Sequence, residues 1–484
     1  MREDEDEVYF NDPEFLEYLQ KYEQARENGE PIYMDAEELT DIAEFYMTQN
    51  REEEANEAIS LALSLHPNSV DPLIFLSRQQ MFHDNLEEAE KIAISIPDQN
   101  DRETIFLWTE LLIRLDKPDE ALKLIESKLE ELDEDTEMFL YDAACIFMDY
   151  QYYELALQLT GILEKKNPRN AKLRKLKIET LIAKENYDEA IKMLQSFIDE
   201  QPYNISAWKT MAEAHVGKGD FREALDNIEY CLAINPMYKQ ALLLKAHCFF
   251  HLNQLNQAHE IYQELEEKDP LNGRIYYMDA VTLANMEKFE EAKEVLEKAL
   301  KYISDDDEER IQILLHKAYI ESKCHNINRA LTALEDARKI SSDQSEIDYN
   351  LLMGEIFLEN DMEREAAEQF EIAYNESKNK QQTLLTMGIA YAETMHYSTA
   401  LSLLESFTAE YNEKEGVVAI PYIAYCYKKL HDEENYLKFL RKAVSADREI
   451  TEFLFSKDYP SIQPEEYYLY AFKNAYGRFP EEWE

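Results

Sequence analysis

Between Glu164 and Lys184 the charge of this chain reverses. The stretch holds eight basic residues, Lys165, Lys166, Arg169, Lys172, Arg174, Lys175, Lys177 and Lys184, against two acidic ones. The chain as a whole carries a formal net charge of −51. Clustered ammonium and guanidinium groups attract and orient carboxylates, so this is a candidate binding surface for an anionic ligand. Lys172 and Lys175 are three apart and share one helical face. Arg174 and Lys177 fall where packing residues belong, so their stems are expected to lie along apolar surface with the charged heads in water. The plainer alternative is a solvated patch neutralised by neighbouring carboxylates.

His247 and His251 stand one helical turn apart, with Cys248 beside the first. An i, i+4 histidine pair can chelate a transition metal. No third and fourth ligand stands nearby in sequence, and Cys248 points elsewhere on the helix. Ordinary surface is therefore the expectation, and no metal or cofactor is assigned. The chain contains no glycine-rich phosphate loop, no HExxH and no GxSxG. Its 101 acidic residues are too many for any pair to stand out as acid and base.

Elements that would position these residues are helices. Nine glycines in 484 residues are too few for a fold rich in tight hairpins, while Ala, Leu, Glu, Lys and Gln dominate long stretches. The acidic surface is expected to keep the chain soluble or to attract basic proteins, and it disfavours nucleic acid and anionic membranes. The opening MREDEDEVYF has neither the basic nor the apolar region of a secretory signal. The apolar stretch Gly416–Tyr427 is too short to span a bilayer and contains Pro421. No lipid anchor is expected, and the cytoplasm is the expected compartment. Cys145, Cys231, Cys248, Cys324 and Cys426 are odd in number, far apart and without a CxxC pair, so free thiols buried in helices are expected.

A period organises the helices. Ala156, Ala190, Ala224, Ala258 and Ala292 stand 34 residues apart, and Pro168, Pro202, Pro236 and Pro270 keep the same beat. A period of that size means one helical unit copied many times, hence a solenoid. Ile205–Tyr238 is the clearest copy: Trp208, Met211, Ala212 and His215 at helical spacing, a break at Gly219-Asp220, then Phe221, Ala224, Ile228 and Cys231, and a stop at Pro236. Small residues are needed where paired helices cross, which explains Ala144, Ala212, Ala246 and Ala280 in the first helices, with Gly354 and Gly388 filling that slot further on. Tyr153, Tyr187, Phe221, Phe289 and Tyr397 open second helices. Anchors extend upstream to Ala121, Ala89 and Ala55 and downstream to Ala330, Ala366, Ala400 and a degenerate Tyr436. The irregular steps fit small insertions, one of them the acidic run Ser304–Glu309.

The pattern resembles the tetratricopeptide repeat (TPR), whose slots here read Trp208, Met211, Ala212, His215, Ala224, Ile228 and Pro236. The resemblance covers about four-fifths of the chain. It implies an all-α solenoid superhelix of about twelve antiparallel helix pairs over residues 36–445. Residues 1–35 then form an acidic segment with one capping helix, Asp12–Asn28, started by Asp12 and Pro13. Residues 446–484 form C-terminal capping helices near Arg448–Phe455 and Pro464–Tyr476, the second a lid rich in tyrosine. In this the chain resembles bacterial proteins built almost wholly of TPRs.

First helices of TPR proteins line a concave groove that binds peptides. Mapped onto this chain, the groove positions include Met138 and Tyr141; Lys172, Lys175 and Glu179; Ser206, Lys209 and Glu213; Gln240, Leu243, His247 and Phe250; and Arg274 and Tyr277. The family's carboxylate clamp needs Lys at the fifth position and Asn at the ninth. Lys175 and Lys209 supply the first, but Glu179 and Glu213 occupy the second and would repel a peptide's carboxylate. The expected function is a non-catalytic scaffold that binds a protein or extended peptide in this groove. A peptide-sensing regulator, an adaptor of the co-chaperone kind without the clamp, and an enzyme accessory subunit are the alternatives; a regulator would need a basic helix-turn-helix, and the N-terminal residues are acidic.

Overall fold

In the computed structural model the chain is described at residues 9–129, 136–167, 170–304, 309–340, 346–410 and 418–480. The acidic lead through residue 8, Pro168, Arg169, Gly416, the side chain of Lys166 and most of the acidic run after Ser304 lie outside the described residues. Among those described, every regular element is a helix. The chain is an all-α helical repeat solenoid, and its residues divide into two units, 1–230 and 231–484.

Unit 1 begins with α1 (Pro13–Asn28). Pairs then follow: α2 (Ala36–Thr48) with α3 (Glu52–Leu65), α4 (Val70–Phe82) with α5 (Leu86–Ser95), and α6 (Arg102–Arg114) with α7 (Pro118–Lys128). Next come α8 (Thr136–Asp149) with α9 (Tyr153–Lys166), α10 (Ala171–Ala183) with α11 (Tyr187–Glu200), and α12 (Ile205–Lys218) with α13 (Phe221–Ile234), within which unit 1 ends at Tyr230. Unit 2 continues with α14 (Lys239–His251) and α15 (Leu255–Lys268), α16 (Gly273–Asn285) and α17 (Phe289–Tyr302), and α18 (Glu309–Lys323) and α19 (Ile327–Ile340). Its last pairs are α20 (Glu346–Glu359) and α21 (Glu363–Glu376), α22 (Lys380–Glu393) and α23 (Tyr397–Glu410), and α24 (Ala419–Lys429) and α25 (Glu433–Ala446). Two short helices, α26 (Arg448–Phe455) and α27 (Tyr467–Tyr476), end it.

One device makes every pair. Between its two helices stands a single residue in the left-handed region: Asn50, Asp84, Asp116, Gln151, Glu185, Gly219, Asn253, Glu287, His325, Asp361, Met395 or His431. The next residue's N–H then donates back to the carbonyl five residues earlier, as Asn186 does to Leu181 at 2.8 Å, Asp220 to His215 at 2.8 Å and His396 to Tyr391 at 2.8 Å. This is the Schellman closure, which satisfies an end carbonyl of the first helix while turning the chain. The sequence exposes this turn only at Gly219, because eleven of the twelve residues carry a side chain. Each stands five residues before the anchor of its second helix, alanine in eleven cases and Tyr436 in the twelfth, so turn and anchor keep one rhythm.

The anchors are sealed. Ala55, Ala89, Ala121, Ala156, Ala190, Ala224, Ala258, Ala292, Ala330, Ala366 and Ala400 have no exposed surface, and Tyr436 fills the twelfth place at 4 %. Gly354 and Gly388 face larger partners than an opposing alanine. A Cβ on Gly354 would stand 2.3 Å from the buried Phe370 ring, and one on Gly388 would stand 2.7 Å from Leu404. Aromatic residues that open second helices reach into the following pair. Tyr187 lies over Gly217, Phe289 meets Tyr319 edge-on at 6.4 Å, and Tyr397 meets Tyr425 at 5.9 Å.

The ends are closed by local chemistry. Asp12 accepts the N–H of Glu14 at 2.8 Å and starts α1 with Pro13, and Gly29 ends it at a φ of 66°. At the other end Phe455, Tyr459, Tyr467 and Ala471 are buried with Tyr436, Leu440 and Ala443 of α25. Pro421 is the third residue of the short helix α24. All five cysteines are free. Cys231, Cys248 and Cys426 are buried as expected, whereas Cys145 and Cys324 are only half-buried. Burial pushes the Cys248 thiol up to about 11.

Two substitutions test this packing. Gly354→Ala is expected to destabilise the protein by about 1–3 kcal/mol, since the Phe370 ring must give way. Gly161→Ala, with open space around its would-be Cβ, is expected to stabilise α9 by about 0.5–1 kcal/mol. Guanidinium denaturation of both variants checks the contrast. At the turn, Met395→Gly is expected to slow hydrogen exchange at the end of α22 and Met395→Val to hasten it. The cost of a left-handed side chain, about 1 kcal/mol or more, is relieved in the first and raised by β-branching in the second.

Candidate functional site

The basic stretch lies beside a hollow of about 360 Å³ in unit 1. Three elements and a turn build it. From α10 come Lys172, Lys175, Ile178 and Glu179; from α11, Leu194 and Phe197. Gln201 and Asn204 close one edge, and Ser206, Ala207 and Thr210 of α12 close the other. Ile178, Leu194 and Ala207 are buried, so the floor is apolar. Asn170 and Asn204 start the two first helices by accepting the N–H of Leu173 at 3.2 Å and of Ala207 at 3.1 Å. These caps hold both walls in register.

Four of the eight basic residues form ion pairs. Arg174 meets Glu200 at 2.7 Å and lies over the Phe197 ring at 5.0 Å. Lys177 meets Glu164 at 2.8 Å, and Lys184 meets Glu154 at 3.0 Å. The stems of Arg174 and Lys177 are largely covered, with side chains 16 % and 20 % exposed, as expected for snorkelling. Lys175 stands 3.6 Å from Glu179, and Lys209 stands 2.8 Å from Glu213. Each carboxylate at the ninth position therefore neutralises the lysine one turn before it. Lys172 is exposed and forms no ion pair among the described residues.

Other expected site residues lie apart from this hollow. Tyr141 is half-buried in α8; burial first, then the charges of Cys145 and Glu179, push its hydroxyl up to about 12. Lys209 is held by its pair with Glu213. His247, Phe250, Arg274 and Tyr277 belong to unit 2. His247 and His251 place their Nε2 atoms 3.0 Å apart, and Phe250 meets His251 edge-on at 5.6 Å. Burial, then the charge of His251, lowers the proton affinity of His247. Among the described residues, no group of three or more His, Cys, Asp or Glu is arranged to hold a metal. Arg274 pairs with Glu309 at 2.8 Å. Tyr277 bonds His316 at 3.1 Å, a partner the groove positions did not include. They also missed Leu194, Phe197, Gln201 and Asn204, because they counted first-helix residues alone.

Against this geometry, the tetratricopeptide repeat family matches residues 215–280. That match covers the end of α12, its left-handed Gly219 turn, and the two pairs' worth of helices that follow. Over those residues the chain is similar to the tetratricopeptide repeat, and its helices form an all-α repeat solenoid. The coatomer epsilon subunit family also matches, over residues 249–350. Hsp70-Hsp90 organizing protein 3 of Arabidopsis thaliana is 27 % identical over 88 residues, 18 % of this chain and 16 % of that protein. Tetratricopeptide repeat protein 30 homolog of Caenorhabditis briggsae is 24 % identical over 187 residues, 36 % of this chain and 26 % of that protein. The matched stretches thus span about a quarter or less of these relatives. A tetratricopeptide repeat protein of Parabacteroides merdae aligns in structure with 12 % identity and a TM-score of 0.40, over 52 % of this chain and 97 % of that one. The TPR fold is in general a protein–protein interaction scaffold. No helix among the described residues is long and apolar enough to cross a membrane.

The strongest titratable cluster in the array is interior. Asp279 of α16 is fully buried and accepts from His259 Nδ1 of α15 at 2.6 Å. Burial, and then Asp279, pushes the neighbouring Glu266 carboxyl up to about 7, while Lys298 and His259 pull it down. An unfolded glutamate ionises near 4.5. Between the two values the folded chain holds the extra proton, so this stabilising contribution is complete below the lower one and is lost as pH rises through the upper. Glu266→Gln cannot ionise. Guanidinium titrations between about pH 5 and about pH 8 are expected to show a smaller loss of stability for the variant than for the wild type. Equal slopes would mean that Glu266 ionises as readily folded as unfolded.

Proposed function

We propose that this chain is a non-catalytic scaffold that captures an extended segment of a partner protein at the hollow between α10, α11 and α12. The observation that carries the reading is an apolar floor beside an ammonium, that of Lys172, with no ion pair among the described residues. Ile178, Leu194 and Phe197 offer a seat for one aliphatic or aromatic side chain, and Lys172 stands at its rim. Burying such a side chain contributes about 1.5–3 kcal/mol. A carboxylate on the same segment then pairs with Lys172, and Asn204 and Gln201 offer amides to its backbone.

A protein partner is favoured over nucleic acid or an anionic membrane by the net charge of −51. The cytoplasm suits five cysteines that form no disulfide. One relative's name ties it to Hsp70 and Hsp90. The pairing of Glu179 with Lys175 argues against the same grip here, because a C-terminal carboxylate would meet a lysine already neutralised.

An array of N-acetylated, C-amidated dodecapeptides tests the site. The wild type is expected to retain peptides with an acidic residue next to Leu, Ile or Phe. Lys172→Glu with Lys175→Glu is expected to weaken them about tenfold or more, with an unchanged thermal melt. Equal retention by both proteins, or retention blind to acidic residues, would overturn the reading.

A further inference from the structure

Unit 2 has a cleft of the opposite charge. Two residues before the left-handed turn residue, three successive first helices carry Lys323, Glu359 and Glu393. Lys323 pairs with Glu359, and Tyr422 donates to Glu393 at 3.4 Å. Glu355, one turn before Glu359, lies half-buried between them. Three carboxylates thus face one ammonium. They line a hollow of about 110 Å³ whose other walls are apolar, Leu315, Leu334, Leu352 and Ile356 among them.

That hollow is not isolated. It shares Leu315, Tyr319, Lys323 and Leu352 with a larger one of about 710 Å³. Phe453, from α26 at the end of the chain, forms part of the larger hollow's wall. Thr451 and Phe455 of that helix are buried, but Phe453 is 74 % exposed. Packing of α26 therefore leaves out one aromatic ring, and that ring looks onto the groove residues Leu315 and Tyr319. The result is a cleft with apolar walls on two elements and unbalanced negative charge at one end.

Charge decides what fits. Nucleic acid and a second copy of this acidic chain are both repelled. A lysine or arginine side chain matches both parts of the lining, because its aliphatic stem packs on Leu315, Leu352 and Tyr319 while its head meets carboxylates. We propose that this cleft binds a partner segment in which a lysine or arginine is flanked by apolar residues. The cation sits among Glu355, Glu359 and Glu393, and an apolar neighbour is clasped between Tyr319 and Phe453. Burial, then the charges of Glu393 and Glu359, push the Glu355 carboxyl up to about 7 against the pull of Lys323. A seated cation would take the place of that proton.

The test uses the full chain and an array of N-acetylated, C-amidated octapeptides with random flanks and Lys, Ala or Glu fixed at the centre. The wild type is expected to retain lysine-centred peptides about tenfold better than alanine-centred ones, chiefly those with Leu, Met or Phe beside the centre. Glu355→Gln with Glu393→Gln, which preserves shape, is expected to abolish that preference. Phe453→Ala, an exposed residue whose loss leaves the core intact, is expected to weaken all apolar-flanked peptides alike. Lys172→Glu with Lys175→Glu in unit 1 is expected to leave the preference unchanged, which separates this cleft from the site proposed above. No preference for lysine, or a preference that survives the glutamate double variant, would overturn the proposal.

Discussion

One hydrogen bond per repeat sets the geometry of everything else. The N–H that follows each left-handed residue returns to the carbonyl five residues back. It ends the first helix at a defined residue and so starts the second at a defined phase. The small anchor then comes five residues later, where the helices cross. If the turn slipped by one residue, each anchor would rotate about 100° away from its partner helix. A larger side chain would take the crossing, and the flank that stacks on the next pair would point elsewhere. Both hollows depend on this phase, since each is lined by first helices that must present the same face in successive pairs.

The helix pairs were legible because steric demand has a sequence signature. A helix crossing accepts only small residues, and a fixed period of alanines follows. Asp12 with Pro13 announced α1 in the same way, through an orphan N–H that needs an acceptor. The turns were not legible. Left-handed backbone favours glycine, yet Gln151, Glu185, Glu287 and Met395 adopt it with ordinary side chains. Eleven closures without glycine, each reinforced by a Schellman bond and a buried anchor, outweigh a local cost of about 1–2 kcal/mol apiece. Tertiary context supplies that conformation, and composition is silent about it.

The candidate sites were legible only in part, for a related reason. Position within a repeat predicts which first-helix residues share a face, and Lys172 and Lys175, on one face of α10, both line a hollow. It says nothing of second-helix walls such as Leu194 and Phe197. Nor does it show which charges cancel. Glu164 and Lys177 are 13 apart in sequence, and Arg174 and Glu200 are 26 apart. Pairing across those separations, and that of Lys175 with Glu179, leaves Lys172 as the lysine of the hollow's lining with no ion pair among the described residues. The acidic cleft of unit 2 escaped notice for the converse reason. In a chain with 101 acidic residues, Glu355, Glu359 and Glu393 look like any others until the fold places them around one lysine.

These pairings bear directly on what the repeat surface can select. A lysine already bonded to a carboxylate one turn away offers an incoming anion little, because the newcomer must displace a partner held by the same helix. The Lys175–Glu179 and Lys209–Glu213 pairs therefore mute the charge that a clamp would use. Apolar fit must then dominate capture in unit 1, with Lys172 adding direction more than strength. In unit 2 the balance shifts, because the three glutamates there share one lysine and their mutual repulsion is eased only by a proton on Glu355. A cation entering that cleft gains attraction and removes repulsion in one step, whereas an anion entering unit 1 gains attraction alone. Electrostatic selectivity should accordingly be sharper in the acidic cleft, even though the basic hollow has the more conspicuous sequence.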